Sequence, residues 1–221
     1  MRPSLLFSRQ NIMRRVILSL MPIFLFSIYA FGWRMAAILA VVTVAGVATE
    51  YLTLRFVYGN NSFKIPEAIF VSCLLYTLIL PPTIPFLAAA LGIAFGILFG
   101  KGVFGGFGKN VFNPALLGRC FVFLAFPTYM TMNWIRPFSG LFGGFLRFSG
   151  GVDAITHATP LGTVLVRADF LRMLFGPLPG TPGEISAFLI LLAAVYLVLT
   201  KTASWEIMLA STASFLGLSI L

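Results

Sequence analysis

The side chains best suited to chemistry lie in one polar string of an otherwise apolar chain. The string runs from Asp153 to Thr159 with the sequence DAITHAT, and Pro160 follows it directly. A proline disfavours helical backbone for the residue before it, so we expect Thr159 on extended backbone. There its hydroxyl is presented to a modifying enzyme instead of turning back to cap a helix. The string is therefore a candidate attachment site for a covalently added group.

The composition identifies the class of protein that must position this string. Hydrophobic residues make up 59% of the chain and charged residues 10%, and the mean hydropathy is +1.00, far from the values of soluble domains. The net charge of +9 is spread among apolar stretches and does not form the basic face that nucleic acids require. The composition predicts an all-α polytopic membrane protein that contacts lipid and no nucleic acid.

Seven apolar stretches approach the roughly 20 residues that a bilayer-spanning helix needs. The third stops at Pro81-Pro82 and the fourth begins almost at once, which predicts a hairpin. The fifth opens at Asn113-Pro114, where Asn caps a helix and Pro takes its first turn. The predicted spans are 16–33, 35–54, 65–80, 84–100, 113–127, 184–200 and 205–221.

Basic residues near span ends favour the cytoplasmic side of a membrane. With the N-terminus inside, the inner segments hold nine of the fifteen basic residues. These are Arg2, Arg9, Arg14, Arg15, Arg55, Lys64, Lys101, Lys109 and Lys201. We therefore expect N-terminal membrane helices over 1–127, an extracytoplasmic loop carrying Thr159 over 128–182, and C-terminal membrane helices over 183–221. The expected location is a bacterial inner membrane.

Prolines, glycines and asparagines interrupt the apolar sequence between residues 80 and 127. Irregular backbone at membrane depth survives only inside protein or beside a water-filled cavity, because unsatisfied amides are costly in hydrocarbon. Broken spans are also the best sequence indicator of a central transport pathway. The interruptions predict short and broken helices around a central cavity.

A series of short motifs follows in order within this region. They are LPPTIP at 80–85, GK at 100–101, FGG at 104–106, GKN at 108–110 and NPALLGR at 113–119. Together they resemble the NqrB membrane subunit of the sodium-translocating NADH:quinone reductase and its relative, the RnfD membrane subunit of the Rnf electron transport complex. The resemblance extends to about residue 200. That family is related in fold to urea channels built from inverted repeats. Its members are generally longer, so an incomplete set of helices is expected.

The resemblance implies a cofactor. In that family a flavin transferase joins FMN, through its phosphate, to a Thr in a string of Asp, two variable residues, Ser or Thr, usually Gly, then Ala and Thr. Asp153, Thr156, Ala158 and Thr159 occupy those places, and His157 stands where Gly is usual. The resemblance thus implies covalent FMN on Thr159. His157, Asn113 and Arg119 are further expected flavin-binding residues, and a second, non-covalent flavin is a further expectation.

The sequence allows two roles for each of three charged residues in the predicted spans. Arg119 costs about 2.5 to 3.5 kcal/mol if it faces lipid, so it either contacts a cavity or flavin, or extends to the membrane surface. Glu50 is expected to be an interfacial charge paired with Arg55, with ion binding as its alternative. Glu67 is open between the same two roles.

The function implied by the resemblance is that of a membrane subunit of an ion-translocating oxidoreductase. Electrons from NADH, or from reduced ferredoxin in the Rnf case, would pass through FMN while Na⁺ or protons cross. Its partners would be the other subunits of such a complex and the flavin transferase. Two alternatives stay open. One is a non-redox, urea-channel-like transporter, and the other is a structural subunit that lost its flavin and leaves Thr159 unmodified.

Overall fold

The structure is a computed structural model. It describes residues 7–8, 10–58, 65–106, 108–131, 135, 137–138, 144 and 180–220, and most of these residues are helical. The helices are α1 (Asn11–Phe31), α2 (Arg34–Tyr58), α3 (Ala68–Ile79), α4 (Phe86–Ile97), α5 (Pro114–Ala125), α6 (Pro127–Thr131), α7 (Ala187–Leu199) and α8 (Trp205–Ile220). Two short strands, β1 (Phe7–Ser8) and β2 (Ile65–Pro66), pair in parallel and join the segments that precede α1 and α3.

Only two of these helices are long and apolar enough to cross a membrane on their own. They are the 21-residue α1 and the first 23 residues of α2. By contrast, α3 and α5 have 12 residues each, about 18 Å of helix against a hydrocarbon core of about 30 Å. Each of the seven predicted spans contains a helix, but seven full-length spans are supported only in part.

The turn between α1 and α2 depends on one glycine. Gly32 has φ of +88°, a conformation that other residues adopt at a cost. Its N–H makes the last helical hydrogen bond of α1, to the Ile28 carbonyl oxygen at 2.7 Å, and its positive φ then ends the helix. After one further residue, Arg34 begins α2, so the two long helices follow each other with little connecting chain.

Helix α2 lies at the centre of the described bundle. It packs against α3 and α4, while α1 packs against α3 and α7, and α5 packs against α4 and α3. The fully buried side chains, such as Ile38, Val42, Ile69 and Ile93, come from the surfaces where these helices meet. In the expected hairpin, a short connection joins α3 to α4, and both helices pack against α2 and α5.

Glycines let α4 and α5 approach closely. A Cβ added at Gly118 would lie 2.6 Å from the Gly92 carbonyl oxygen, and one added at Gly96 would collide with the Pro114 carbonyl oxygen. Small residues at such crossings are typical of helices that pack within membranes. The outer surface is correspondingly apolar, since large side chains such as Leu87, Leu124 and Leu199 are exposed.

The regular helix of α4 breaks where the sequence predicts an interruption. Residues Leu98–Gly102 form a π-helical turn, a geometry that occurs mostly as single turns within helices and frequently at functional sites. Gly105, Gly106 and Gly108 then adopt positive φ values, which glycine tolerates freely. This segment, residues 98–112, forms a glycine-rich connection that delivers the chain to the start of α5.

Candidate functional site

The predicted attachment string lies outside the described residues. Asp153, Thr156, His157, Ala158 and Thr159 all fall within 145–179, for which the structure gives no placement. Covalent flavin on Thr159 therefore stays a prediction from sequence. The described residues instead reveal how the membrane helices arrange their charged side chains.

Asn113 caps α5 in the way the sequence predicts. Its side-chain oxygen accepts the N–H of Ala115 at 3.0 Å, and Pro114 takes the first helical position. This arrangement satisfies one of the amides that a helix start leaves without an intrahelical partner. Because the oxygen is used in capping, the exposed Asn113 side chain keeps its amide N–H₂ as the group available to a ligand.

Arg119 lies in the second turn of α5 and is half-buried. Within the part of the chain that the structure describes, it makes no ion pair or hydrogen bond through its side chain, so both sequence readings of this arginine remain open. Six residues separate it from Asn113, which is about 9 Å along the helix axis. The two side chains therefore offer hydrogen-bond donors at different positions along the axis of α5.

Glu50 and Lys101 form an ion pair inside the bundle. The Lys101 Nζ lies 2.8 Å from Glu50 Oε2, and the two side chains are 2% exposed for Lys101 and 4% exposed for Glu50. Glu50 belongs to α2, whereas Lys101 belongs to the π-helical turn that ends α4. The pair thus links the central helix to the start of the glycine-rich connection.

This pair corrects two expectations drawn from the sequence. Glu50 does not pair with Arg55, because five residues along a helix place two side chains about 140° apart around its axis. Arg55 instead contacts the Tyr51 hydroxyl at 3.3 Å. Lys101, expected to be a surface charge on the inner side, is buried, so it no longer supports the predicted orientation as an interfacial residue.

Glu67 holds the start of α1 against the start of α3. Arg14 donates to Glu67 from two nitrogens, with Nη2 at 2.6 Å from Oε1 and Nε at 3.0 Å from Oε2. The backbone N–H of Gln10 also donates to Oε2 at 2.9 Å. Fork-shaped arginine–carboxylate pairs are stronger and better defined than single contacts. The open question about Glu67 is therefore answered by an ion pair with Arg14.

Arg34 holds the connection between α3 and α4. Its Nε donates to the Pro82 carbonyl oxygen at 2.8 Å, and its Nη2 donates to those of Thr83 and Ile84 at 3.2 and 2.9 Å. Its guanidinium also lies 4.9 Å from the centre of the Phe86 ring. Prolines limit the backbone hydrogen bonds of this connection, and the planar guanidinium supplies donors in their place.

Sequence reasoning missed the Glu50–Lys101 and Arg34 contacts because each joins residues about 50 positions apart. A signal existed for the first pair. Glu50 interrupts an apolar span, and an ionisable group there must find an opposite charge within the bundle. Lys101 is the basic residue that ends the fourth apolar stretch. Nothing in the sequence identified which of several lysines and arginines would be the partner.

The chain matches a known protein family over almost its whole length. A sequence profile of the NQR2, RnfD, RnfE family matches residues 7–221. A protein from Ectopseudomonas mendocina (strain ymp), named as the B subunit of Na(+)-translocating NADH-quinone reductase, is 38% identical over 162 residues, which cover 72% of this chain and 38% of that protein. The protein of the same name from Haemophilus influenzae (strain PittEE) is 40% identical over 148 residues, which cover 65% and 35%.

A third relative with that name, from Neisseria meningitidis serogroup B, is 36% identical over 162 residues, which cover 72% of this chain and 38% of the relative. The matched part of the chain therefore spans between a third and two fifths of the length of these relatives.

Proposed function

Because the chain belongs to the NQR2, RnfD, RnfE family, we propose that it serves as a membrane subunit of an ion-translocating oxidoreductase, carries FMN on Thr159, and passes electrons while Na⁺ or protons cross the membrane. The observation that carries this proposal is the DAITHAT string at 153–159. A channel without redox chemistry has no use for such a string. When bound, the flavin supplies the electron-transfer chemistry, and the protein supplies its position and its electrostatic surroundings.

The orientation of α5 divides the expected flavin contacts between two places. With the N-terminus inside, Asn113 starts α5 at its inner end, and the loop with Thr159 follows on the outer side. The 12 residues of α5 extend about 18 Å, so in this expected topology the Asn113 amide and the attachment loop are on opposite sides of the membrane. We therefore assign Asn113 to the second, non-covalent flavin, and Arg119, near the middle of α5, to a contact with either flavin.

The donor chemistry of these two residues suits that role. The free amide N–H₂ of Asn113 and the guanidinium of Arg119 can donate to the oxygens of a flavin ring, ribityl chain or phosphate. Both side chains are accessible, and no described carboxylate occupies Arg119. Six positions along a helix place two side chains about 120° apart around its axis, so the two would donate to a flavin from different directions.

Intact mass tests the covalent assignment. The full-length chain is co-expressed with a flavin transferase, purified, and compared with Thr159→Ala and with Thr163→Ala, a matched threonine of the same predicted loop. We expect a gain equal to FMN minus water in the wild type and in Thr163→Ala, together with fluorescence in a denaturing gel. Both signals should disappear in Thr159→Ala. An unmodified, non-fluorescent wild type would support the channel-like or flavin-less subunit instead.

A further inference from the structure

Helix α7 ends in a capping motif that has an unusual residue at its left-handed position. The N–H of Lys201 donates to the Val198 carbonyl oxygen at 2.9 Å. The N–H of Thr202 donates to the Leu197 carbonyl oxygen, also at 2.9 Å. These two bonds define the Schellman motif, in which the residue after the helix end is left-handed and is usually glycine. Here that residue is Lys201, with φ of +53°.

A lysine at this position has a conformational cost. The left-handed region brings Cβ too close to a carbonyl oxygen, and residues other than glycine, asparagine and aspartate rarely adopt it. In the part of the chain that the structure describes, Lys201 is the one residue other than glycine with a positive φ. A lysine in the preceding helical turn would interact with the helix C-terminus without that cost. Backbone strain of this kind clusters where a residue has a function.

A second cation lies beside Lys201 and comes from another helix. Arg15, near the start of α1, is exposed, and its Nη1 donates to the Thr200 carbonyl oxygen at 2.7 Å. That carbonyl belongs to the peptide bond between Thr200 and Lys201, so the guanidinium lies against the backbone of Lys201. The contact occupies one of the five N–H donors of the guanidinium. The other donors face no acceptor among the described residues.

No carboxylate of the described residues neutralises these two charges. Arg14 pairs with Glu67, whereas Arg15 and Lys201 make no ion pair within the described ranges. Glu206, the carboxylate nearest to Lys201 in the sequence, is exposed and makes none there either. Two positive charges held side by side repel each other, and an anion between them removes that repulsion.

The two cations lie at the level of the lipid headgroups. Arg15 and Phe31 are 16 residues apart on α1, about 24 Å along its axis, so Arg15 lies near one membrane surface and the end of α1 near the other. Tryptophans are enriched at both surfaces. Trp33 follows α1, and Trp205 begins α8 shortly after Lys201; both side chains are exposed.

Exposed apolar side chains extend from the two cations along both helices. Leu18 lies one turn after Arg15 on α1, and Val195 and Leu199 lie in the last turns of α7. The two helices pack against each other. A phospholipid fits such a junction, with its phosphate at the cations and its acyl chains along the apolar surface. Basic pockets between membrane helices on the cytoplasmic side bind anionic headgroups in this way.

We propose that Arg15 and Lys201 bind the phosphate of an anionic phospholipid of the inner leaflet, at the junction of α1 and α7. The guanidinium and the ammonium donate to the phosphate oxygens, and the acyl chains lie against Leu18 and Leu199. An anionic lipid is preferred, because a choline headgroup would bring a further positive charge to the two cations. The site requires only that the chain lies in a membrane, so it does not depend on the flavin.

Thermal unfolding in mixed micelles tests the site. The full-length chain, purified in detergent, is heated with phosphatidylglycerol and with phosphatidylcholine of the same acyl chains and mole fraction, and the readout is the difference between the two Tm values. Lys201→Asn removes the charge but accepts the left-handed backbone, and Arg15→Gln removes the guanidinium. Lys201→Arg keeps the charge. The control is Arg55→Gln, because Arg55 is an exposed arginine at the inner end of α2.

We expect phosphatidylglycerol to raise the Tm of the wild type by several degrees relative to phosphatidylcholine, because a ligand that binds only the folded state stabilises it. The gain should fall by at least half in Lys201→Asn and in Arg15→Gln, and it should persist in Lys201→Arg and in Arg55→Gln. Equal gains in all variants would overturn the site, as would a wild type without a gain.

The Tm values in phosphatidylcholine separate lipid binding from a structural role of the lysine. Lys201→Asn should unfold there no earlier than the wild type, since asparagine tolerates the left-handed conformation better than lysine. A Lys201→Asn variant that unfolds well below the wild type, or does not fold, would assign the lysine to the fold and overturn the proposal.

Inorganic phosphate distinguishes a lipid from a soluble anion. Sodium phosphate should not raise the Tm of the wild type above that in NaCl of equal ionic strength. A phosphate-dependent gain as large as that from phosphatidylglycerol, and lost in the same two variants, would identify a site for soluble anions and contradict the lipid site.

Discussion

His157 is the residue at which the attachment string departs from the family pattern, where Gly is usual. A side chain restricts the backbone conformations that glycine visits freely, so His157 should slow recognition by the flavin transferase. We predict that His157→Gly raises the rate of flavin attachment to Thr159 several-fold. The rate is measured as the growth of in-gel fluorescence with time of incubation.

A third variant separates backbone from ring effects. His157→Ala keeps the Cβ and removes the imidazole, so it should behave like the wild type if backbone freedom is the cause. Equal gains for Ala and Gly would assign the effect to the ring. A slower Gly variant would contradict the prediction outright.

Arg34 contributes through three hydrogen bonds from a charged donor. Bonds of that kind contribute about 1.5 to 3 kcal/mol each, and the gains are not additive. We predict that Arg34→Ala lowers the free energy of unfolding by about 2 to 4 kcal/mol, measured by denaturant unfolding in detergent. Arg34→Lys should recover part of the loss, because an ammonium lacks the planar fork.

Arg55 provides the matched control at the other end of the same helix. It is exposed, contacts the Tyr51 hydroxyl at 3.3 Å and lies 6.0 Å from the centre of the exposed Phe56 ring, so Arg55→Ala should change the free energy of unfolding by less than about 0.5 kcal/mol. Similar losses for both arginines would show that the carbonyl contacts of Arg34 do not matter.

The roles that could be predicted were those of residues whose contacts are with neighbours in the sequence. Asn113-Pro114 signals a helix start because capping involves neighbours in sequence, and that prediction is confirmed. The partner of Glu50 could not be predicted, because it depends on how α2 and α4 pack. The attachment string at 153–159 is untested, since it lies outside the described residues.

At the scale of elements, the α4–α5 contact depends on glycines whose neighbours are backbone atoms. A methyl group at Gly96 would meet the Pro114 carbonyl oxygen, which cannot turn away as a flexible side chain can. We predict that Gly96→Ala destabilises the protein by about 3 kcal/mol or more, at the upper end of overpacking costs. The measurement is the Tm of the purified protein in detergent.

The control for this substitution is Gly217 in α8, where an added Cβ meets nothing within 4 Å. Gly217→Ala should change stability by no more than about 1 kcal/mol, in the favourable direction, because alanine favours helix. Equal effects at the two glycines would refute close packing of α4 against α5.

Within the described residues, hydropathy located α1 to α5, α7 and α8 but not the short α6, and it overestimated several helix lengths. The length of an apolar run reflects composition, whereas a regular helix ends where a backbone group loses its hydrogen-bonding partner. Pro81-Pro82 ends α3 in this way, and the π-helical turn at Leu98–Gly102 ends α4. The sequence predicted that the middle of the chain is interrupted, whereas the exact helix ends depended on packing.

For the whole molecule, the distribution of basic residues predicts which ends face the cytoplasm. Because Lys101 is buried, Lys109 is the better probe of the inner side. In a Cys73→Ala, Cys120→Ala background, we predict that Thr163→Cys reacts with a membrane-impermeant maleimide in intact spheroplasts. Lys109→Cys should react only after permeabilisation. Labelling in the opposite order would invert the topology and place Thr159 inside.

The Arg34 contacts also have a consequence for biosynthesis. The guanidinium is made 48 to 50 residues before the carbonyls that it binds. While α1 and α2 enter the membrane, a nascent chain that ends before Pro82 offers Arg34 none of these three acceptors. The Arg34 contacts can therefore form only after the connection between α3 and α4 has been synthesised, so they follow the synthesis of α1, α2 and α3.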